Sequence, residues 1–95
     1  MQNKSNLKYY SLDFSLCTTL GEVYAVIQRS LKLPEWFGAN LDALWDALIG
    51  IMHTPAQIAV NKAVKNADLS EDVEEIVSVI HEAEERYHDI IVVVK

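Results

Sequence analysis

Asp42 and Asp46 stand four residues apart, so on a helix their carboxylates share one face, with Trp36 and Trp45 close by along the chain. Two like charges at that spacing cost a helix roughly a few tenths of a kcal/mol, and Asp46 lies beyond the first turn, where the helix dipole would offset that cost. Folding alone does not ask for the pair. One reading is a solvated polar face, since acids are common on helix surfaces. The other is a docking face for a cationic partner, because aromatics beside desolvatable carboxylates have the composition of an interface centre. Trp45 falls on an apolar stripe, where core is the usual fate of a large aromatic, whereas Trp36 precedes the helix in a loop and is the more open of the two. Two aspartates supply too few oxygens for a hard cation, so the pair is not read as a metal site.

Other chemistries lack their residues. Gly21, Gly38 and Gly50 are isolated, so no glycine-rich loop cradles a phosphate. His53, His81 and His88 fall into no metal-binding or triad spacing, and Cys17 has no local basic neighbour to lower its pKa. The sequence therefore points away from an enzyme and from any cofactor.

The chain that must position these residues has 95 of them, 51% hydrophobic and 23% charged, the composition of one globular domain over residues 1–95. A net charge of -6 repels nucleic acid phosphates and anionic lipid and favours a basic partner. Direct nucleic acid binding is disfavoured. The lone Cys17 forms no internal disulfide, no signal-peptide pattern opens the chain, and the longest apolar run, Ile90 to Val94, is too short to span a bilayer. The expected setting is cytoplasmic and reducing, with no membrane contact.

Elements follow from spacing and caps. Leu7 to Phe14 suits a strand, although Ser11 and Asp13 interrupt it. Thr19 and Glu22 form a capping box ahead of a helix from about Leu20 to Ser30, and Pro34 makes Leu31 to Gly38 a loop despite Trp36 and Phe37. Asn40 caps a second helix that stops at Gly50 as its C-terminal cap, with Leu41, Leu44, Trp45 and Leu48 as its stripe. Gln57 to Val60 reads as a strand, Asn61 to Leu69 has room for a turn of helix, and Ser70 caps a long helix on which Val73, Ile76, Val77, Ile80, Ala83 and Tyr87 face inward. The β-branched run at Asp89 to Lys95 predicts a strand buried on both faces. Met1 to Asn6 carry nothing that would order them alone. This order, with crossovers too long for hairpins, predicts a small α/β domain: a three-stranded parallel sheet packed against three main helices and the short one.

The run Leu33-Pro34-Glu35-Trp36-Phe37-Gly38-Ala39-Asn40-Leu41-Asp42-Ala43-Leu44-Trp45-Asp46-Ala47-Leu48 resembles the signature segment of the barstar family, intracellular inhibitors of the secreted ribonuclease barnase. Length and element order agree over nearly the whole chain. The resemblance implies a barstar-like fold and a partner-binding surface built on Asp46, which would enter a ribonuclease active site, with Asp42 flanking it and Trp36 packing from the loop. It extends that surface to Trp45 and to Glu82 on the last helix, and gives Gly38 and Asn40 structural roles as loop glycine and N-cap. The implied partner is a basic extracellular ribonuclease resembling barnase. The alternative is a barstar-like interaction module that binds a basic partner other than a nuclease.

Four positions depart from the family pattern. Ala39 replaces an acid, Ile49 a polar residue, Ile51 an aromatic, and Arg86 an acid near the end of the last helix. Three of these remove polarity or charge from the implied contact surface.

Overall fold

The computed structural model describes residues 7–95. The reading of Met1 to Asn6 lies outside the described residues. Three strands form one parallel sheet in the order β1 (Lys8–Asp13), β2 (Ala56–Asn61), β3 (Ile90–Val94). Between β1 and β2 run α1 (Leu20–Ser30) and α2 (Leu41–Gly50), and between β2 and β3 a 3₁₀ turn (Ala67–Leu69) and α3 (Ser70–Arg86). This is the α/β arrangement the sequence predicts, short helix included.

Register explains where the core sits. Tyr10, Ile58 and Val92 lie side by side across the sheet, as do Leu12, Val60 and Val94. These positions face the helices, and Leu12, Ile58 and Val60 are essentially fully buried against Ile27, Leu44, Leu48, Ile76 and Ile80. Each buried Leu or Ile side chain stabilises the fold by about 1.5–3 kcal/mol at most. The alternate positions, Tyr9, Ser11, Ile91 and Val93, point away and are exposed.

The last strand therefore corrects an expectation. It is not buried on both faces: Ile91 and Val93 are 46% and 43% exposed. All three helices pack on the same side, so the sheet is half-covered, and β2 rather than β3 takes the protected central place. On the free edge of β3 two of the outward backbone donors are already used. Ile90 N–H donates to the Tyr87 carbonyl at 3.2 Å and Val92 N–H to Glu84 Oε2 at 3.0 Å.

The helix ends hold two more departures. Ser70 is the first residue of α3, not its cap; Leu69 occupies that place and offers no side-chain acceptor. The chain enters α3 directly from the 3₁₀ turn, so the capping work moves upstream to Asn66, whose Oδ1 accepts from Asp68 N–H at 3.0 Å. Gly50 is the last helical residue of α2, and Ile51 takes the C-cap with φ -114°, donating to Ala47 O at 3.1 Å. No glycine of the described chain adopts positive φ, and that role falls to Lys32 and Ala39. At the other end of α1 the predicted capping box is present, with Thr19 Oγ1 accepting from Glu22 N–H at 3.1 Å and the Glu22 carboxylate accepting from Thr18 and Thr19 N–H. No described helix is long and apolar enough to cross a membrane.

Candidate functional site

The start of α2 is fixed by short-range polar contacts. Asn40 Oδ1 accepts from Ala43 N–H at 2.8 Å while Asn40 Nδ2 donates to the Gly38 carbonyl at 3.2 Å, tying the preceding loop onto the first turn. Space at Gly38 is tight: a Cβ there would sit 3.3 Å from the Ala43 Cβ and 3.4 Å from Asn40 Nδ2. The unusual backbone belongs to Ala39, in the left-handed region at φ 54°, a conformation an alanine adopts at a cost of about 1–2 kcal/mol.

The loop ahead of α2 turns one aromatic in and one out. Phe37 is buried, its ring 6.3 Å from that of Tyr24 on α1, and its N–H donates to Pro34 O at 3.0 Å. Trp36 is 74% exposed. Gln28 Nε2 donates to the same Pro34 carbonyl at 2.7 Å, so the loop is held from α1 as well.

Along α2, Leu44, Ala47 and Leu48 are buried, whereas Asp42 and Asp46 both face solvent. Neither carboxylate makes a hydrogen bond or ion pair among the described residues beyond its own helix. Asp42 lines a hollow of about 460 Å³ where the starts of α1, α2 and α3 converge, together with Leu20, Tyr24, Ala39, Asp72 and Glu75. Asp46 lies outside that hollow, further along the helix. Burial pushes the Tyr24 phenol above its ordinary value, with the carboxylates of Asp72 and Glu75 adding to the effect, so the hollow has a consistently negative character.

Midway along α2 the half-buried Trp45 meets the end of α3. Its ring lies 6.1 Å from that of Tyr87, tilted by 56°, and the Arg86 guanidinium sits 5.8 Å from its centroid. Arg86 also reaches the Glu82 carboxylate, Nη2 to Oε2 at 3.8 Å. The structure thus joins Trp45 and Glu82 through Arg86, joins Gly38 to the Asp42 end of the helix through Asn40, and leaves Trp36 standing free on the loop. Tyr87 is the residue the sequence misplaces. Its spacing puts it on the inner face of α3, but it is the extended C-cap residue, 39% exposed, and packs on Trp45.

The remaining titratable groups form no centre. Among the described residues no three His, Cys, Asp or Glu side chains converge as a metal cage would require. His81 Nδ1 is 3.2 Å from Glu84 Oε1 on the opposite side of that carboxyl from its bond to Val92. Cys17 is 4% exposed, and burial pushes its thiol up, helped by the Glu22 and Asp13 carboxylates and partly offset by Arg29.

The arrangement places two exposed carboxylates on a helix pinned at its N-terminus and packed on α3, with an exposed indole on the preceding loop. Comparison with known proteins identifies the family. Residues 7–95 match the sequence model of the family described as Barstar (barnase inhibitor). A Bacillus subtilis (strain 168) protein named "Putative ribonuclease inhibitor YrdF" is 34% identical over 64 residues, 66% of this chain and 70% of that protein. With the match covering every described residue and the fold in agreement, the chain belongs to the barstar family.

Proposed function

We propose that this protein is a stoichiometric inhibitor of a basic ribonuclease, held inside the cell, and that it works by seating Asp46 among the cations that bind the substrate phosphate. A ribonuclease must present Arg, Lys or protonated His to phosphate, and a carboxylate on a rigid helix forms the same charge-assisted hydrogen bonds. The observation that carries the proposal is that Asp46 is exposed and has no partner among the described residues, so no internal bond is broken when it docks. Asp42 flanks it, Trp36 packs on the rim from the loop, Trp45 supports the helix from the side, and Glu82 lies toward the periphery beside Arg86. Net charge of -6 steers the encounter with a basic enzyme.

The test is titration of barnase, and of other basic ribonucleases of its type, with the chain and its variants. Asp46→Ala is expected to weaken the complex by about 2–5 kcal/mol, because a desolvated cation is left unpaired. Asp42→Ala and Glu82→Ala should cost less. Glu74→Ala, whose carboxylate pairs only with Lys62 at 2.9 Å on the surface, should leave binding unchanged. Association should also slow as salt rises from low concentration past about 0.1 M, where screening is strong beyond about 10 Å. Equal, negligible losses for all four variants would return Asp42 and Asp46 to the role of solvated surface.

A further inference from the structure

Arg86 is out of keeping with its surroundings. It lies against Glu82 and against Trp45, the chain neighbour of the exposed Asp46, and a cation there lowers the attraction that any basic partner feels. Two contacts orient the side chain. Its guanidinium rests against Trp45 at 5.8 Å from the ring centroid and leans on Glu82 at 3.8 Å. These contacts favour a position of the flat guanidinium beside Trp45 and Glu82 while it remains 60% exposed. A single 3.8 Å approach leaves most of its five N–H donors unengaged and open to a partner.

From this geometry we infer that Arg86 is a specificity-determining residue of the docking face: it admits a ribonuclease that presents a carboxylate opposite the end of α3 and disfavours one whose rim is basic there. The inference rests on the inhibitor reading above. Like charges brought together at an interface are strongly unfavourable, whereas an acid on the partner would complete the donor set that Glu82 leaves open. Glu82 and Trp45 act as the support, positioning the guanidinium.

The test uses barnase as the probe, with the parent, Arg86→Lys, Arg86→Gln and Arg86→Glu proteins, each first checked by thermal unfolding. A rim charge acts mainly on the association rate. If Arg86 is a charge filter against a basic rim, Arg86→Glu should bind barnase about tenfold or more tightly than the parent, Arg86→Gln should fall between, and Arg86→Lys should match the parent. The gain should lie chiefly in association and shrink at high salt. A purely structural role, in which Arg86 merely braces Trp45, instead predicts that Lys, Gln and Glu all weaken binding together, with no salt dependence; that result overturns the filter. So does an Arg86→Glu protein that binds no better than the parent. Should Asp46→Ala lose binding in the same assay while the Arg86 series stays flat, the filter falls and the docking role of Asp46 stands.

Discussion

Gln28 Nε2 donates a 2.7 Å hydrogen bond to the Pro34 carbonyl, so the last turn of α1 holds the loop on which Trp36 stands. The contact is partly buried and spans two elements that share no backbone ladder. Gln28→Ala is expected to lower stability by about 1 kcal/mol, because Pro34 O loses a donor in a place water reaches poorly. Urea unfolding gives the stability change, and hydrogen exchange should show the amide of Phe37 losing protection before those of α1 do. Equal protection loss across both elements would mean that the loop does not depend on this bond.

Lys32 follows α1 with φ 58°, and the bonds around it, Leu33 N–H to Gln28 O at 2.9 Å and Lys32 N–H to Arg29 O at 3.3 Å, are those of a helix end built for glycine. Lys32→Gly should raise stability by about 0.5–1 kcal/mol, the relief of a left-handed backbone less the extra freedom glycine has when unfolded. An unchanged or lower urea midpoint would contradict this.

Glu22 is held below the ordinary carboxylate range, chiefly by the Thr18 N–H at 2.7 Å, then by the Thr18 hydroxyl and the Thr19 N–H. A depressed folded value means that its contribution is fully present above the ordinary Glu pKa of 4.5 and is lost as pH falls through the lower folded value. The Glu22→Gln variant should therefore show less acid loss of stability than the parent below about pH 4.5. Asp13, lowered by its bond from Ser15 N–H at 3.0 Å, acts in the same direction. Thermal unfolding followed from pH 3 to 7, a range set roughly by ordinary carboxylate titration, checks the sign.

Cys17 should react slowly while the protein is folded. Its side chain is buried beneath the turn after β1, and burial raises its pKa, so both access and thiolate fraction are low. Thiol labelling at neutral pH is expected to be at least about tenfold slower than in denaturant, with a rate that follows local opening. Labelling at the denatured rate would show that this end of the core is open.

Much of this fold is visible in the chain because its signals are local. Thr19 and Glu22 declare the start of α1, Asn40 the start of α2, and crossover lengths require parallel strands. What is not visible depends on partners far along the chain. The β-branched run Ile90 to Val94 looks the same whether one face or two is covered, and only the placement of all three helices on one side leaves Ile91 and Val93 open. Gly38 reads as a loop glycine from the sequence, whereas the close approach of the Ala43 methyl group, five residues on and brought near by the helical turn, is seen only in the structure. The site divides in the same way. The α2 face is legible from spacing, whereas the contact of Trp45 with Arg86 and Tyr87 joins positions some forty residues apart and has no local signature.

The bonds along the outer margin of β3 carry a consequence for behaviour at high concentration. A parallel or antiparallel strand from another molecule needs vacant backbone donors to pair with, and here those of Ile90 and Val92 are taken by Tyr87 O and the Glu84 carboxylate. An incoming chain would have to displace the Glu84 carboxylate from the Val92 N–H before it could pair there. Pairing with a strand from a second copy is therefore disfavoured along this part of β3, despite the bare valine and isoleucine side chains alongside, and the outer edge of β1 is the more open margin of the sheet.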